Sequence, residues 1–272
     1  MSTGTLGPSG LESESFGALA DANEAIDLYI ASLMFLPDAI PLGDGRDLLQ
    51  VLGVADKLAA ARSHTTIYTD NVGDRLRGLR DGDIPACSRS FQTFATTYRG
   101  LGIPPVGAPI PPDTRDRLVV AIGAFVTPLA TLQARLTAMN SGFAQFHGLL
   151  IGDLAMLGDL ATLFHPDDPG GIVRRIGLSA ADVALAQAAI TDNAPTFEQD
   201  VGVAQQKAGA MLASLSQVTD AFAILGGKVA SVIGDLKGAE RPTTPPLLDQ
   251  VLVQAAEGGW QQFAGYVQTL GF

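Results

Sequence analysis

The 272-residue chain is poor in groups that do chemistry: one cysteine, one tryptophan, three histidines and only 17 lysines and arginines. A single cysteine, Cys87, excludes an intrachain disulfide, and nothing around it matches a thiol-catalysis signature. Its residue type and surroundings read as a small buried apolar side chain. The basic residues are outnumbered by 28 acidic ones, for a formal charge of −11. That balance excludes nucleic acid as a partner and simple electrostatic docking on anionic lipid, because no basic stripe exists to neutralise phosphates. Charged residues make up only 17% of the chain, so much of any helical surface is either buried or turned to an apolar partner.

Enzymatic constellations are missing as well. The chain has six glutamates, and none stands three residues before a histidine, as a di-iron bundle requires. Asp167-Asp168 lies in a Pro/Gly turn with no third carboxylate a helical turn away, unlike the magnesium site of an isoprenoid cyclase. Phosphate loops, dinucleotide fingerprints, His-Glu-x-x-His and Gly-x-Ser-x-Gly are absent. His64, His147 and His165 show no ligand spacing, and His165 reads as a charge at a helix C-terminus. The expectation is a chain without catalytic, cofactor or metal residues. The N-terminus has neither a positive n-region nor an apolar h-region, so no secretory signal is expected. The nearest candidate for a permanent transmembrane helix, the uncharged Leu118–Ala134, is interrupted by Gly123, Thr127, Pro128, Thr131 and Gln133.

What the chain has is helix periodicity. Residues 1–10 read as a disordered tail, and 11–272 as one elongated helical-bundle domain. Leu11–Leu36 is an amphipathic helix with acidic residues towards its start, which suits the helix dipole. A second helix is expected over about Asp47–Arg80, a turn at Asp81-Gly82-Asp83 and Pro85, and a further helical piece over Ser88–Arg99. Pro-rich linkers follow at 100–112 and 241–246. Between them run two long helical segments. From Leu118 to Pro166 only Arg135, Asp153 and Asp159 carry charge, with Pro128 expected to kink the helix. From the N-cap Ser179 to Lys237 only Pro195 interrupts. Uninterrupted, these helices would be roughly 70 and 90 Å long. A last helix spans Leu247–Phe272. The fold class is all-α: an elongated bundle of about five helices, two very long and antiparallel, with an apolar tip.

The tip candidate lies at 143–176. Phe143, Phe146, Leu149, Leu150, Ile151, Leu154, Leu157, Leu160, Leu163 and Phe164 cluster around Gly142, Gly148, Gly152 and Gly158. Two readings fit: a core helix buried on most sides, or a membrane-interacting element folded away in the soluble state. Asp153 and Asp159 oppose deep insertion unless they line a pore or face a partner.

An acidic first helix, long antiparallel helices, an apolar tip between them and a final helix with Leu248, Val251, Leu252, Trp260, Phe263, Val267 and Leu270 together resemble the α-helical pore-forming toxins of the cytolysin A type. Those include the three-component haemolysins and the helical insecticidal crystal proteins. The resemblance is architectural and covers about residues 11–272. It implies a soluble form that hides its tip, target-cell lipid or a receptor as partner, and a homo-oligomer on membranes or a second toxin component. It also implies secretion or release without a signal peptide. The competing expectation is a non-enzymatic helical scaffold whose apolar faces form a permanent oligomer.

Overall fold

The structure, a computed structural model, describes residues 5–8, 13–162, 177–193, 196–238 and 242–272. All regular structure among them is helical: α1 (Ser13–Phe35), α2 (Leu48–Val51), α3 (Ala55–Tyr68), α4 (Asp74–Gly78), α5 (Ile84–Gly100), α6 (Pro112–Thr162), α7 (Ala180–Asn193), α8 (Phe197–Gly238) and α9 (Gln250–Gln268). The all-α class and the two long helices, α6 and α8, are as expected. Contacts divide the chain into two compact units, and the longest helices contribute residues to each.

The first unit comprises the described residues of Met1–Ala20, Asp74–Asn140 and Ser214–Phe272. Its core is aromatic and centred on Trp260 of α9. Phe125 of α6 meets the indole edge-on at a ring-centroid distance of 5.6 Å, and Phe91 of α5, Phe222 of α8 and Phe263 of α9 complete the shell at 6.5, 6.1 and 6.3 Å. A buried indole N–H needs an acceptor. The Leu6 carbonyl provides it at 3.1 Å, so residues 5–8 of the stretch read as a tail are seated on α9, with Leu6 buried. Gly7 allows that approach: a Cβ there would come within 2.9 Å of the Ala256 Cα.

In this unit α6 and α8 run antiparallel. Gln133 donates to the Phe222 carbonyl, and seven residues on, Asn140 accepts from Ser216. The two Pro-rich stretches pair with each other. Gly107, Ile110 and Thr244 donate to the carbonyls of Thr244, Pro242 and Ala108, each at 3.0 Å, around a bridge between Pro109 and Thr243. Proline has no N–H to give, so the ladder uses the non-proline positions.

The turn expected at Asp81-Gly82-Asp83 and Pro85 is helical instead. A π turn, Leu79–Asp83, joins α4 to α5, and Pro85 falls in the first turn of α5. The wider turn absorbs the missing proline donor. Arg135 of α6 lies directly over Gly78, where any Cβ would collide with its guanidinium, and its Nε stands 2.7 Å from Asp83 Oδ2. Burial pushes the Asp83 carboxyl above the ordinary carboxylate range, against the pull of Arg135. Cys87, one turn on, is buried, and burial with the nearby Asp83 raises its thiol to about 12. The thiolate is therefore suppressed throughout the neutral and mildly alkaline range. Maleimide labelling of the folded protein should be negligible there and become complete in denaturant. Rapid labelling of native protein would show that this core opens readily.

The second unit comprises Asp21–Gly73 and the described residues of Ser141–Ala213. The helix expected over Asp47–Arg80 is broken in it. Asp47 caps the short α2 by accepting from Leu49 N at 3.1 Å, and Gly53 at φ +65° ends the turn before α3 begins. A π turn, Thr69–Gly73, continues α3. Ser179 caps α7 as expected, in a reciprocal box: Asp182 N donates to Ser179 Oγ at 3.1 Å, and Ser179 N to Asp182 Oδ2 at 3.2 Å. Asp182 also accepts from Gly43 N at 2.8 Å, and these bonds hold its carboxyl below the ordinary range. The helix expected from Ser179 to Lys237 is two elements, α7 ending at Asn193 and α8 starting at Phe197; Pro195 itself lies outside the described residues.

Candidate membrane-active segment

The distal part of α6 belongs to the second unit. Phe143, Phe146, Leu150, Leu154 and Leu157 recur every three or four residues and form one stripe, each at most 2% exposed. Of the other residues expected at a membrane, Leu149 is half-buried and Ile151 is 56% exposed. Leu163 and Phe164, and the side chain of Leu160, lie outside the described residues. The outward face carries Ala144, Gln145, Gly148, Ile151, Gly152 and Ala155, with no charge.

The buried stripe rests on α1 and α3. Tyr68 of α3 packs against Phe143 and Phe146 at ring-centroid distances of 6.2 and 5.2 Å. Its hydroxyl donates to Asn23 Oδ1 on α1 at 2.5 Å, and Asn23 in turn donates to Asp27 at 2.9 Å. Next to this cluster the helix approaches the π turn Thr69–Gly73 closely. A Cβ on Gly142 would come within 2.6 Å of the Asn71 Cβ. The π turn places Asn71 there, with its amide returned to the Ile67 carbonyl at 2.9 Å.

Polar groups are built into the same interior. Asp153 lies on the buried stripe between Leu150 and Leu154, and its Oδ2 is 2.8 Å from His64 Nδ1 on α3. Tyr29 of α1 is fully buried, and among the described residues its hydroxyl has no hydrogen-bond partner. Burial and the Asp153 charge both push that hydroxyl upward. Further along, Asp200 of α8 accepts from Ser32 of α1 and from Thr196 Oγ1. The pairing of Asp153 with His64 is what sequence reasoning missed. Its one sequence signal is the spacing of Asp153, three residues after Leu150 and seven after Phe146, which puts it on the stripe rather than on the outer face.

Among the described residues, no three His, Cys, Asp or Glu side chains converge to hold a metal ion. By length and composition both α6 and α8 are apolar enough to cross a bilayer, with windows of mean hydropathy 1.5 and 1.3. A buried core helix meets the same test, so composition alone does not separate the two roles.

These features define a class: an all-α chain with two long apolar helices, one of them keeping an aromatic and aliphatic stripe folded against its neighbours. No family model matches the chain, and no curated protein matches it in sequence. Solved structures do match. The chain is similar to the HblL1 toxin component of Bacillus cereus over 99% of each chain, with a TM-score of 0.62 at 12% identity. It is also similar to soluble AhlB of the tripartite α-pore-forming toxin AHL from Aeromonas hydrophila. That match covers 95% of this chain and 91% of AhlB, with a TM-score of 0.56 at 14% identity. At these identities the likeness is one of fold: the chain shares the all-α architecture of these two toxin components.

Proposed function

We propose that this chain is an α-pore-forming toxin or toxin component, non-enzymatic, that rearranges from a soluble bundle and inserts the apolar part of α6 into a target membrane. The observation that carries the reading is a coincidence of fold and segment. The architecture shared with two toxin components goes with an apolar stretch of α6 whose five stripe side chains are held, among the described residues, by packing and one buried polar pair. Burying such side chains is worth about 1.5–3 kcal/mol each in water. Hydrocarbon replaces that burial, because lipid tails are as apolar as leucine. Moving the stripe from protein to lipid therefore costs little for its apolar part.

The element extends over 143–176, of which 163–176 lie outside the described residues. Partners in this reading are target-cell lipid or a receptor, together with copies of this chain or a second toxin component. The tripartite assembly of AhlB supports the second-component form. The protein is secreted or released, and soluble before it meets a membrane.

The test is dye release from neutral, anionic and sterol-containing liposomes, with size-exclusion chromatography in the presence and absence of mild detergent. Leakage or detergent-induced assembly is expected. A stable oligomer indifferent to lipid and detergent would replace this reading with a permanent helical scaffold.

A further inference from the structure

Asp153 is a costly residue for a segment that enters lipid and an unnecessary one for a segment that only packs. A carboxylate in the middle of a bilayer is strongly disfavoured, and a leucine in its place would fill the same stripe. Its side chain is 11% exposed and that of His64 26%, so the contact is largely shielded from water. We propose that the His64–Asp153 pair is a charge latch that holds the stripe of α6 against α1 and α3 and sets how readily segment 143–157 is released. This rests on the membrane-insertion reading for its purpose, although the latch itself is a property of the lipid-free protein.

Among the described side chains, the charged and titratable neighbours are engaged elsewhere. On α3, Arg62 is turned away, donating to the carbonyls of Leu33 and Leu36 and paired with Asp38. On α8, Asp200 is taken by Ser32 and Thr196. On α1, Tyr29 brings only an uncharged hydroxyl, and Asp27 is joined to Asn23. On α6 itself, His147 lies against the Phe143 ring. Among the described side chains, His64 is thus the group that answers the Asp153 charge.

A carboxylate can only accept, so in this contact the imidazole Nδ1–H donates to Asp153 as one charge-assisted hydrogen bond.

Hydrogen exchange of the lipid-free protein tests this directly. In Asp153→Asn the opening equilibrium of the α6 amides over 146–157 should rise roughly tenfold, the size of one charge-assisted bond in a half-buried site. In His64→Ala, which removes the donor, a similar rise is expected, and in His64→Asn, whose amide can still donate to Asp153, protection should be kept. Helical content by circular dichroism verifies that each variant is folded. Equal protection in wild type, Asp153→Asn and His64→Ala would overturn the latch. Liposome leakage measured on the same proteins separates the two ideas. An exchange effect without leakage from any protein would keep the latch and remove the membrane reading. Wild-type leakage with unchanged exchange in Asp153→Asn and His64→Ala would do the reverse.

Discussion

Trp260→Ala is expected to lower the unfolding free energy of the first unit by about 3–5 kcal/mol. The indole is fully buried, and Phe91, Phe125, Phe222 and Phe263 surround it from four helices. Truncation removes their common neighbour and leaves a cavity that rigid aromatic rings cannot collapse to fill. It also strands the Leu6 carbonyl and so releases residues 5–8 from α9. Urea unfolding followed by circular dichroism reads the loss in the variant. In wild type, the fluorescence of this only tryptophan reports the same unit. Val251→Ala, on the outer face of the same helix and 72% exposed, should cost less than about 0.5 kcal/mol. A Trp260→Ala loss as small as that control would mean that the aromatic cluster is not what holds this unit together.

The second large effect separates core from membrane roles within α6. Leu157→Asp puts an unpaired carboxylate into a fully buried site, and should cost about 4 kcal/mol or more and unfold the second unit. Lost leakage in that variant would therefore say nothing about insertion. Ile151→Asp is the informative change. The side chain is 56% exposed in the soluble form, so stability should move by no more than about 0.5 kcal/mol. In the inserted form the same carboxylate meets hydrocarbon, at about 2.5–3.5 kcal/mol, which corresponds to roughly a hundredfold loss of dye release. Thermal melts and liposome leakage, run together on the two variants, read both quantities. Leakage by Ile151→Asp at the wild-type rate would remove α6 from the membrane.

The positions of the long helices were legible because their causes are local. Ser179 and Asp182 cap α7 from three residues apart, whereas the sequence placed Leu149 and Ile151 in the same set as Phe143, Phe146, Leu150, Leu154 and Leu157, and only the structure separates the buried face. Where local cues were ambiguous, context decided. Asp81-Gly82-Asp83 and Pro85 carry turn chemistry, yet Arg135 packed over Gly78 and paired with Asp83 keeps the chain helical through a π turn. Gly53 looks like a tolerable glycine in an apolar run but takes a left-handed conformation and breaks the helix. The two Pro-rich stretches were read as separate linkers, and they are hydrogen-bonded to each other.

By itself, then, the sequence determined an all-α chain with few charges and two long helices. Each of those follows from side-chain spacing within a few turns and from capping groups that act on their own backbone. Only the tertiary structure decided that Asp153 meets His64, that Tyr68 closes over Phe143 and Phe146, and that Trp260 finds its acceptor at Leu6. The physical reason is sequence distance. Residues 89 and 254 positions apart, as in the first and last of these contacts, are joined by the register of whole helices. Register is set by how all the buried faces pack at once, and no local spacing encodes it.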